Sequence, residues 1–252
     1  MLRSTQAYCQ QLCDKQTLDF GIAFYSKRFA GLAEANQFRE VIVEDAGKIP
    51  EAYEQAERWF SEQGLSCFRW APAGGRPTPE LEAYLLNRGF TRQCDTVMAL
   101  VRWGELGRNE AIRVLPARAM RAAFAKTIRS GRPSSPEDAA LMAEAYGQRL
   151  DDPQFDMFVA TCDHDPAGHC ALYQVGDMAR VMDLSALPSF AGRGVDRALL
   201  GHVLTMARRL AMKNVYVQVP ATDAEARALY ESAGFIADGE IIEFDRDRPA
   251  GS

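Results

Sequence analysis

The stretch "LPSFAGRGVDRALL", residues 187–200, gathers residue types suited to holding an anion. Gly192 and Gly194 flank Arg193, and Arg197 follows inside an apolar helical pattern. Successive backbone N–H groups in a glycine-containing turn form a concave anion nest, and the positive end of the next helix's dipole adds to it. The glycines admit close approach to the backbone, and the arginines add charge. Asp196 works against this. An acidic residue in a first helical turn is favoured by ~0.3–1 kcal/mol, yet it competes with a phosphate for the same dipole. A lone G-x-G before a helix is also what an ordinary strand-to-helix loop looks like, so context must decide.

A second cluster, "CDHDPAGHC", places Cys162, His164, His169 and Cys170 close together. These are side chains of the kinds that bind zinc. Alternation along a strand sends neighbours to opposite faces, so His169 and Cys170 do not readily converge on one ion. A hairpin turning at "DPAG" is the better reading, and no metal is expected.

The bulk numbers set the frame. A chain of 252 residues accommodates more than one domain of ordinary size. Its 47% hydrophobic and 25% charged content are those of a globular protein with a real core. The 29 basic residues against 34 acidic ones give a net charge of −5, without the basic surplus of a nucleic-acid binder. No stretch approaches the ~18 apolar residues of a membrane span, and the first residues lack the apolar region of a signal peptide. A cytoplasmic protein is expected, with neither nucleic acid nor membrane as partner. Six cysteines in a chain this long do not make a disulfide framework.

From residue 111 the elements are legible. "AIRVLPA" reads as a strand and "RAMRAAFAKTIR" as a helix; "SSPEDAALMAEAYGQRL" opens with Ser135 as N-cap and Pro136 in the first helical position. "FDMFVATCD" and "HCALYQV" read as a hairpin, and "ARVMDLSALP" as a strand stopped by Pro188. Val195, Leu199, Val203, Met206 and Leu210 form a helical stripe. "NVYVQVP" is a strand. "TDAEARALYESAGF" starts with a capping box, Thr222 with Glu225, and ends at Gly234. "FIADGEIIEF" closes the order β-α-α-β-β-β-α-β-α-β, an α/β fold with a mixed sheet. "TPELEAYLLNRGF" (Thr78 to Phe90), after the strand "SCFRWAP", parallels "TDAEARALYESAGF" (Thr222 to Phe235) after "NVYVQVP". Similarity at this scale predicts two related domains, 1–105 and 111–246, joined through "RWGELGRNE".

In element order, and at Pro188, Gly192, Gly194, Leu199, Leu200, Ala226, Leu229, Tyr230, Gly234 and Phe235, residues 111–246 resemble the GNAT acyl-CoA N-acyltransferase superfamily. That family's core reads strand, V-x-P-x-x-R-G-x-G-x-G/A, helix, strand, then N-x-x-A-x-x-L-Y-x-x-x-G-F. The resemblance implies the mixed-sheet GNAT fold and transfer of an acyl group, usually acetyl from acetyl-CoA, to an amine. It implies a pyrophosphate on the amides of Gly192, Arg193, Gly194, Val195, Asp196 and Arg197. It implies a pantetheine arm along Leu184, Ser185 and Ala186, and Asp223 in the place of the family's asparagine. Tyr230 falls where the family's general acid sits; its alternative role is a packed aromatic. Asp183 is the nearest carboxylate for a base, with a solvated strand residue as the alternative. The sequence departs from the family pattern at Ala191, Asp196 and Asp223. In the first half Leu85 stands where Tyr230 stands in the second, and no glycine cradle precedes its helix, which implies a degenerate GNAT-like domain. The function expected is N-acetylation of a small-molecule amine with acetyl-CoA as co-substrate. The alternative is a non-catalytic GNAT-fold module that binds CoA or regulates, and acetylation of a protein is also open.

Overall fold

The computed structural model describes residues 9, 12–107, 109–131 and 136–246. Ser135, the expected cap, lies outside them. The elements run β1 (Asp14–Leu18), β2 (Gly21–Tyr25), β3 (Gln37–Val41), α1 (Ile49–Glu62), β4 (Arg69–Pro72), α2 (Pro79–Asn87) and β5 (Thr91–Leu100). They continue with β6 (Ile112–Pro116), α3 (Arg121–Gly131), α4 (Pro136–Arg149), β7 (Phe155–Cys162), β8 (Asp165–Val175) and β9 (Met178–Ala186). Last come α5 (Val195–Arg209), β10 (Asn214–Pro220), α6 (Ala224–Ser232) and β11 (Phe235–Asp245). From residue 112 onward this is the expected order, in a mixed α/β fold.

The chain forms two compact units. One takes the chain up to Asp95 together with Glu240 onward; the other is Thr96–Gly239. The expected division fell at residues 105–111, whereas these boundaries fall inside β5 and β11. The first unit takes its last strand from the far end of the chain, where Phe244 faces Trp70 and Asp245 faces Arg69 across an antiparallel pair. The segment read as a linker is hydrogen-bonded within the second unit: the Gly104 amide donates to the Ala233 carbonyl at 3.0 Å, and Asn109 Nδ2 donates to the Arg193 carbonyl at 3.1 Å.

In the second unit β6, β7, β8 and β9 pair antiparallel in sequence order, and β10 joins β9 in parallel. Helix α5 lays Val195, Leu199, Leu200 and Val203, all fully buried, against Phe158, Leu172, Val181 and Val217 of the strands. Each such side chain contributes about 1.5–3 kcal/mol of burial free energy, so this face fixes where α5 begins. The apolar stripe is wider than the one read from sequence and stops earlier, since Leu210 is exposed. The β7–β8 turn also differs from expectation. Asp163 and His164 have φ of 51° and 72°, the left-handed pair of a two-residue hairpin. "DPAG" lies in β8, with Thr161 facing Pro166 and Ala160 facing Gly168 across a bulge.

The first unit has β1, β2 and β3 antiparallel, then β4 parallel to β3. Its core is aromatic: Trp70 meets Phe38 edge-on at 4.9 Å and stacks on Tyr53 at 5.8 Å. The successions β3-α1-β4-α2 and β9-α5-β10-α6 therefore share one plan, a parallel strand pair joined by a helix and followed by a second helix. Both leading strands carry a register shift beside an acidic residue in left-handed conformation, Glu40 and Asp183, each with φ of 53°.

Candidate active site

The site grows from an irregularity in β9. On its β8 side the register moves by one residue between the His169–Ser185 and Ala171–Met182 pairs, a β-bulge. Asp183 occupies it. Left-handed backbone costs least for Gly, Asn and Asp, so an aspartate is a residue type that tolerates the place. On its other side β9 pairs with β10 only from Met178↔Asn214 to Val181↔Val217. Beyond Val181 the two strands have no ladder, and β9 offers an open backbone edge.

Hydrogen-bond alternation shows which amides face that edge. The Leu187 amide donates to the Ala167 carbonyl at 2.8 Å, so Ser185, facing His169, also turns its amide toward β8. Leu184 and Ala186 then direct theirs away from β8. Of the residues expected to meet a pantetheine arm, two present their backbone to the opening and Ser185 does not.

Asp183 is not the solvated strand residue of the alternative reading. It is half-buried; its Oδ1 accepts a 3.0 Å hydrogen bond from the Tyr146 hydroxyl, while its buried Oδ2 has no hydrogen-bond partner among the described residues. Tyr230, on α6, is 5% exposed and meets Phe235 edge-on at 5.5 Å. Burial holds its phenol well above the usual tyrosine range, and negative charge at Asp183, Asp223 and Asp196 adds to the effect. The phenol therefore keeps its proton throughout the neutral range. Cys170 is likewise buried and raised, by desolvation first and Asp183 second.

After β9 the chain makes a short 3-10 turn, Pro188–Phe190, and reaches α5 through Gly192 and Gly194, with φ of 72° and 77°. Gly194 is the N-cap of α5 and has no side chain with which to cap it. The Arg193 amide bonds to the Phe190 carbonyl, while those of Gly192, Gly194, Val195, Asp196 and Arg197 have no backbone acceptor among the described residues. Those are the orphan donors of a helix start, arranged as the anion nest the sequence suggested. Two charges differ from expectation. Arg193 donates to Asp163 at 2.7 Å and lies over the Phe190 ring, turned to the hairpin; that pairing holds the Asp163 carboxyl below its ordinary range. Asp223, not Thr222, caps α6, accepting from the Ala226 amide at 2.9 Å, because Glu225 falls one residue short of the capping-box position.

The cysteine–histidine cluster is dispersed. Cys162, His169 and Cys170 are buried on their strands, and His169 meets the Phe124 ring edge-on at 5.9 Å. Among the described residues no three His, Cys, Asp or Glu side chains gather as a metal set. A cleft of about 870 Å3 lies between residues 103–114 and α5 and includes neither Asp183 nor Tyr230.

The family model for acetyltransferases of the GNAT family matches residues 119–235, a span holding the bulge, the glycine turn and Tyr230. This segment belongs to the GNAT family. The GNAT fold extends through nearly the whole chain in solved structures. A functionally unknown conserved protein from Staphylococcus epidermidis covers 94% of this chain and 95% of its own, with a TM-score of 0.78 at 15% identity. A GCN5-related N-acetyltransferase from Kribbella flavida covers 98% and 95%, with a TM-score of 0.69 at 13% identity. At such identities the likeness is one of fold. By sequence, the [ribosomal protein bS18]-alanine N-acetyltransferase of Salmonella typhimurium is 33% identical over 75 residues, which are 30% of this chain and 51% of that protein. The Escherichia coli K12 enzyme of the same name is 34% identical over 59 residues, 23% and 40% respectively. The chain thus spans about half or less of the curated relatives it matches. Among the described residues, no helix is long and apolar enough to cross a membrane.

Proposed function

We propose that the second unit is a working N-acetyltransferase that moves an acetyl group from acetyl-CoA to the amine of a small molecule. The observation that carries this is the opened edge of β9 leading straight into a turn of unbonded amides. One continuous backbone surface thereby offers donors first to an extended arm and then to a diphosphate. Acetyl-CoA, as the second substrate, supplies the acyl carbon.

The chain's own groups then divide the work. The amides of Gly192 and of residues 194–197 hold the diphosphate, and those of Leu184 and Ala186 hold and orient the arm. An N–H on this edge also stabilises negative charge developing on the thioester oxygen. An alkyl ammonium must lose a proton before it attacks, and Asp183 takes it. As the C–N bond forms and the C–S bond breaks, Tyr230 donates its proton to the leaving sulfur. The amine's second proton restores the phenol. The tyrosine's raised pKa keeps it in the form able to donate.

The first unit is proposed as a degenerate GNAT-like copy. It shares the strand plan and the bulge, but β3 stays paired with β4 as far as Val41↔Pro72, so its edge is not open. Asp45 already accepts from the Gly47 amide at 2.9 Å where a cradle would stand, and Leu85 is wholly buried. A protein α-amine is a second acceptor reading, favoured by the activity for which the Salmonella relative is named.

Calorimetry with CoA, followed by thiol release from acetyl-CoA over a panel of small amines and an alanine-leading peptide, tests the proposal. CoA binding with turnover on small amines is expected; turnover on the peptide alone transfers the acceptor to protein. Binding without turnover on any acceptor leaves a CoA-binding module, and absence of both overturns the reading.

A further inference from the structure

We propose that Asn109 is a positioning residue for the diphosphate of CoA: its side chain holds the Arg193–Gly194 peptide so that the Gly194 amide faces the anion. This rests on the reading above, in which the turn before α5 holds that diphosphate.

Asn109 lies in the segment that reads from sequence as a linker. Two bonds root it at the start of β6. Its Oδ1 accepts from the Ala111 amide at 3.1 Å, and its carbonyl accepts from the Ile112 amide at 3.1 Å. Ile112 in turn faces Cys162 across the β6–β7 ladder. With Oδ1 on an amide, Nδ2 is the end that reaches the turn, where it donates to the Arg193 carbonyl at 3.1 Å. An asparagine suits this place because one partner is a donor and the other an acceptor.

The peptide it holds is the one most in need of holding. Gly194 has φ of 77° and ψ of 22°, and no side chain of its own restricts rotation of the peptide before it. A peptide unit is planar and trans, so its C=O and N–H point to opposite sides. Turning the Arg193 carbonyl toward Asn109 therefore turns the Gly194 N–H away from it. A left-handed residue followed by a helical one gathers successive amides on one side, as a nest, and Gly194 followed by Val195 is such a pair. Were the peptide to flip, an oxygen would face the diphosphate in the amide's place. The other ties on Arg193 do not prevent this. Its amide bonds to the Phe190 carbonyl at 3.2 Å and its guanidinium to Asp163, and both groups branch off before the Cα–C bond about which the peptide turns.

The chain contains two Arg–Gly peptides, Arg88–Gly89 and Arg193–Gly194. Full-length protein carrying carbon-13 in the arginine carbonyls and nitrogen-15 in the glycines gives one NMR signal for each, assigned by the loss of one in Arg88→Lys. In the wild type, CoA should move the 193–194 amide proton downfield and leave the 88–89 signal in place. Asn109→Ser keeps an oxygen for the Ala111 amide but leaves the Arg193 carbonyl without its donor. The 193–194 carbonyl of this variant should lie upfield of wild type before any ligand is added. Calorimetry should show its CoA binding weakened about fivefold, the scale of one hydrogen bond. Weaker binding with the free-protein signal unmoved would give Asn109 a merely structural role and overturn the proposal. So would an unchanged affinity, or CoA that binds the wild type without moving the 193–194 amide. Asn109→Asp, of the same size, sets an oxygen against the Arg193 carbonyl. At high salt, where its added charge is screened, it should still bind CoA about fivefold or more weakly than wild type; wild-type affinity there overturns the proposal equally. Failure of the wild type to bind CoA at all sinks the acetyltransferase reading, and this proposal with it.

Discussion

Arg193 points its guanidinium at Asp163, 2.7 Å away in the hairpin turn between β7 and β8, rather than into the turn it belongs to. The loop expected to bring an arginine to the diphosphate thus has that charge already engaged. Both partners are exposed, so the pair adds little to stability, and its consequence lies in binding. Asp163→Asn should release Arg193 and tighten CoA binding, whereas Arg193→Ala should weaken it. Calorimetry at low and high salt checks both, since the differences should fade as salt screens exposed charges. Equal affinities in the two variants would mean that Arg193 never reaches the ligand.

The same pair gives a sign for pH. Asp163 has a depressed folded-state pKa, so its small contribution to stability is present above the unfolded value near 4 and is lost as pH falls through the folded one. Acid titration of wild type and Asp163→Asn should show their melting curves converging below that window. Curves that keep a constant offset down to the lowest pH would exclude the pair as a contributor.

Asp196 lies in the first turn of α5, among the amides that would hold a diphosphate. Asp196→Gly should tighten CoA binding by ~1 kcal/mol, roughly fivefold, the scale of one charge at a helix N-terminus. The gain should shrink with salt. The same change should lower the melting temperature, because glycine costs about 0.5–1 kcal/mol within a helix and the favourable dipole contact is lost. Loss of stability without any gain in affinity would mark the turn as a connection only.

What the sequence revealed follows a physical division. Gly192, Gly194 and Gly234 were legible because their backbones need positive φ, for which few residue types serve. Helix α5 was legible because apolar residues recurring at helical spacing cannot line one face of a strand. The partner of each terminal strand was not: β5 and β11 alternate in the same way whichever sheet receives them, so their passage between units leaves no mark on composition. The bulge was hidden as well. Asp183 in "MDLSA" reads as an outward-facing strand residue until one extra residue in the register turns it inward. Tyr146 was beyond reach altogether, since only the fold brings α4 beside β9.

Tyr230 combines a core position with a polar end. Its ring packs on Phe235, and burial keeps its phenol protonated. Tyr230→Phe preserves the ring, so CoA affinity and the melting temperature should be nearly unchanged. Turnover should fall on the order of 10²–10⁴-fold if the hydroxyl is the acid. An unaltered kcat across the pH range would return Tyr230 to the core alone.

Asp183 permits the sharpest separation of stability from function. Its φ of 53° suits glycine or asparagine, and its buried Oδ2 has no partner among the described residues. Asp183→Asn keeps a carbonyl oxygen to accept from Tyr146 and removes the charge. Asp183→Gly relieves the left-handed backbone, a strain of ~1–2 kcal/mol for an ordinary residue and less for aspartate, but deprives the Tyr146 hydroxyl of its acceptor. The asparagine variant should therefore melt no lower than wild type, while the glycine variant's relief and loss nearly cancel. Both should lose acetyl transfer on the order of 10²–10⁴-fold, since neither can take a proton from an ammonium. At high pH, where more of the acceptor is already the free amine, part of the lost rate should return in the asparagine variant, whose site geometry is intact. Thermal denaturation with kcat measured from neutral pH upward checks all of this. Full activity in Asp183→Asn at neutral pH would remove Asp183 as the base and leave the bulge to shape the strand edge alone.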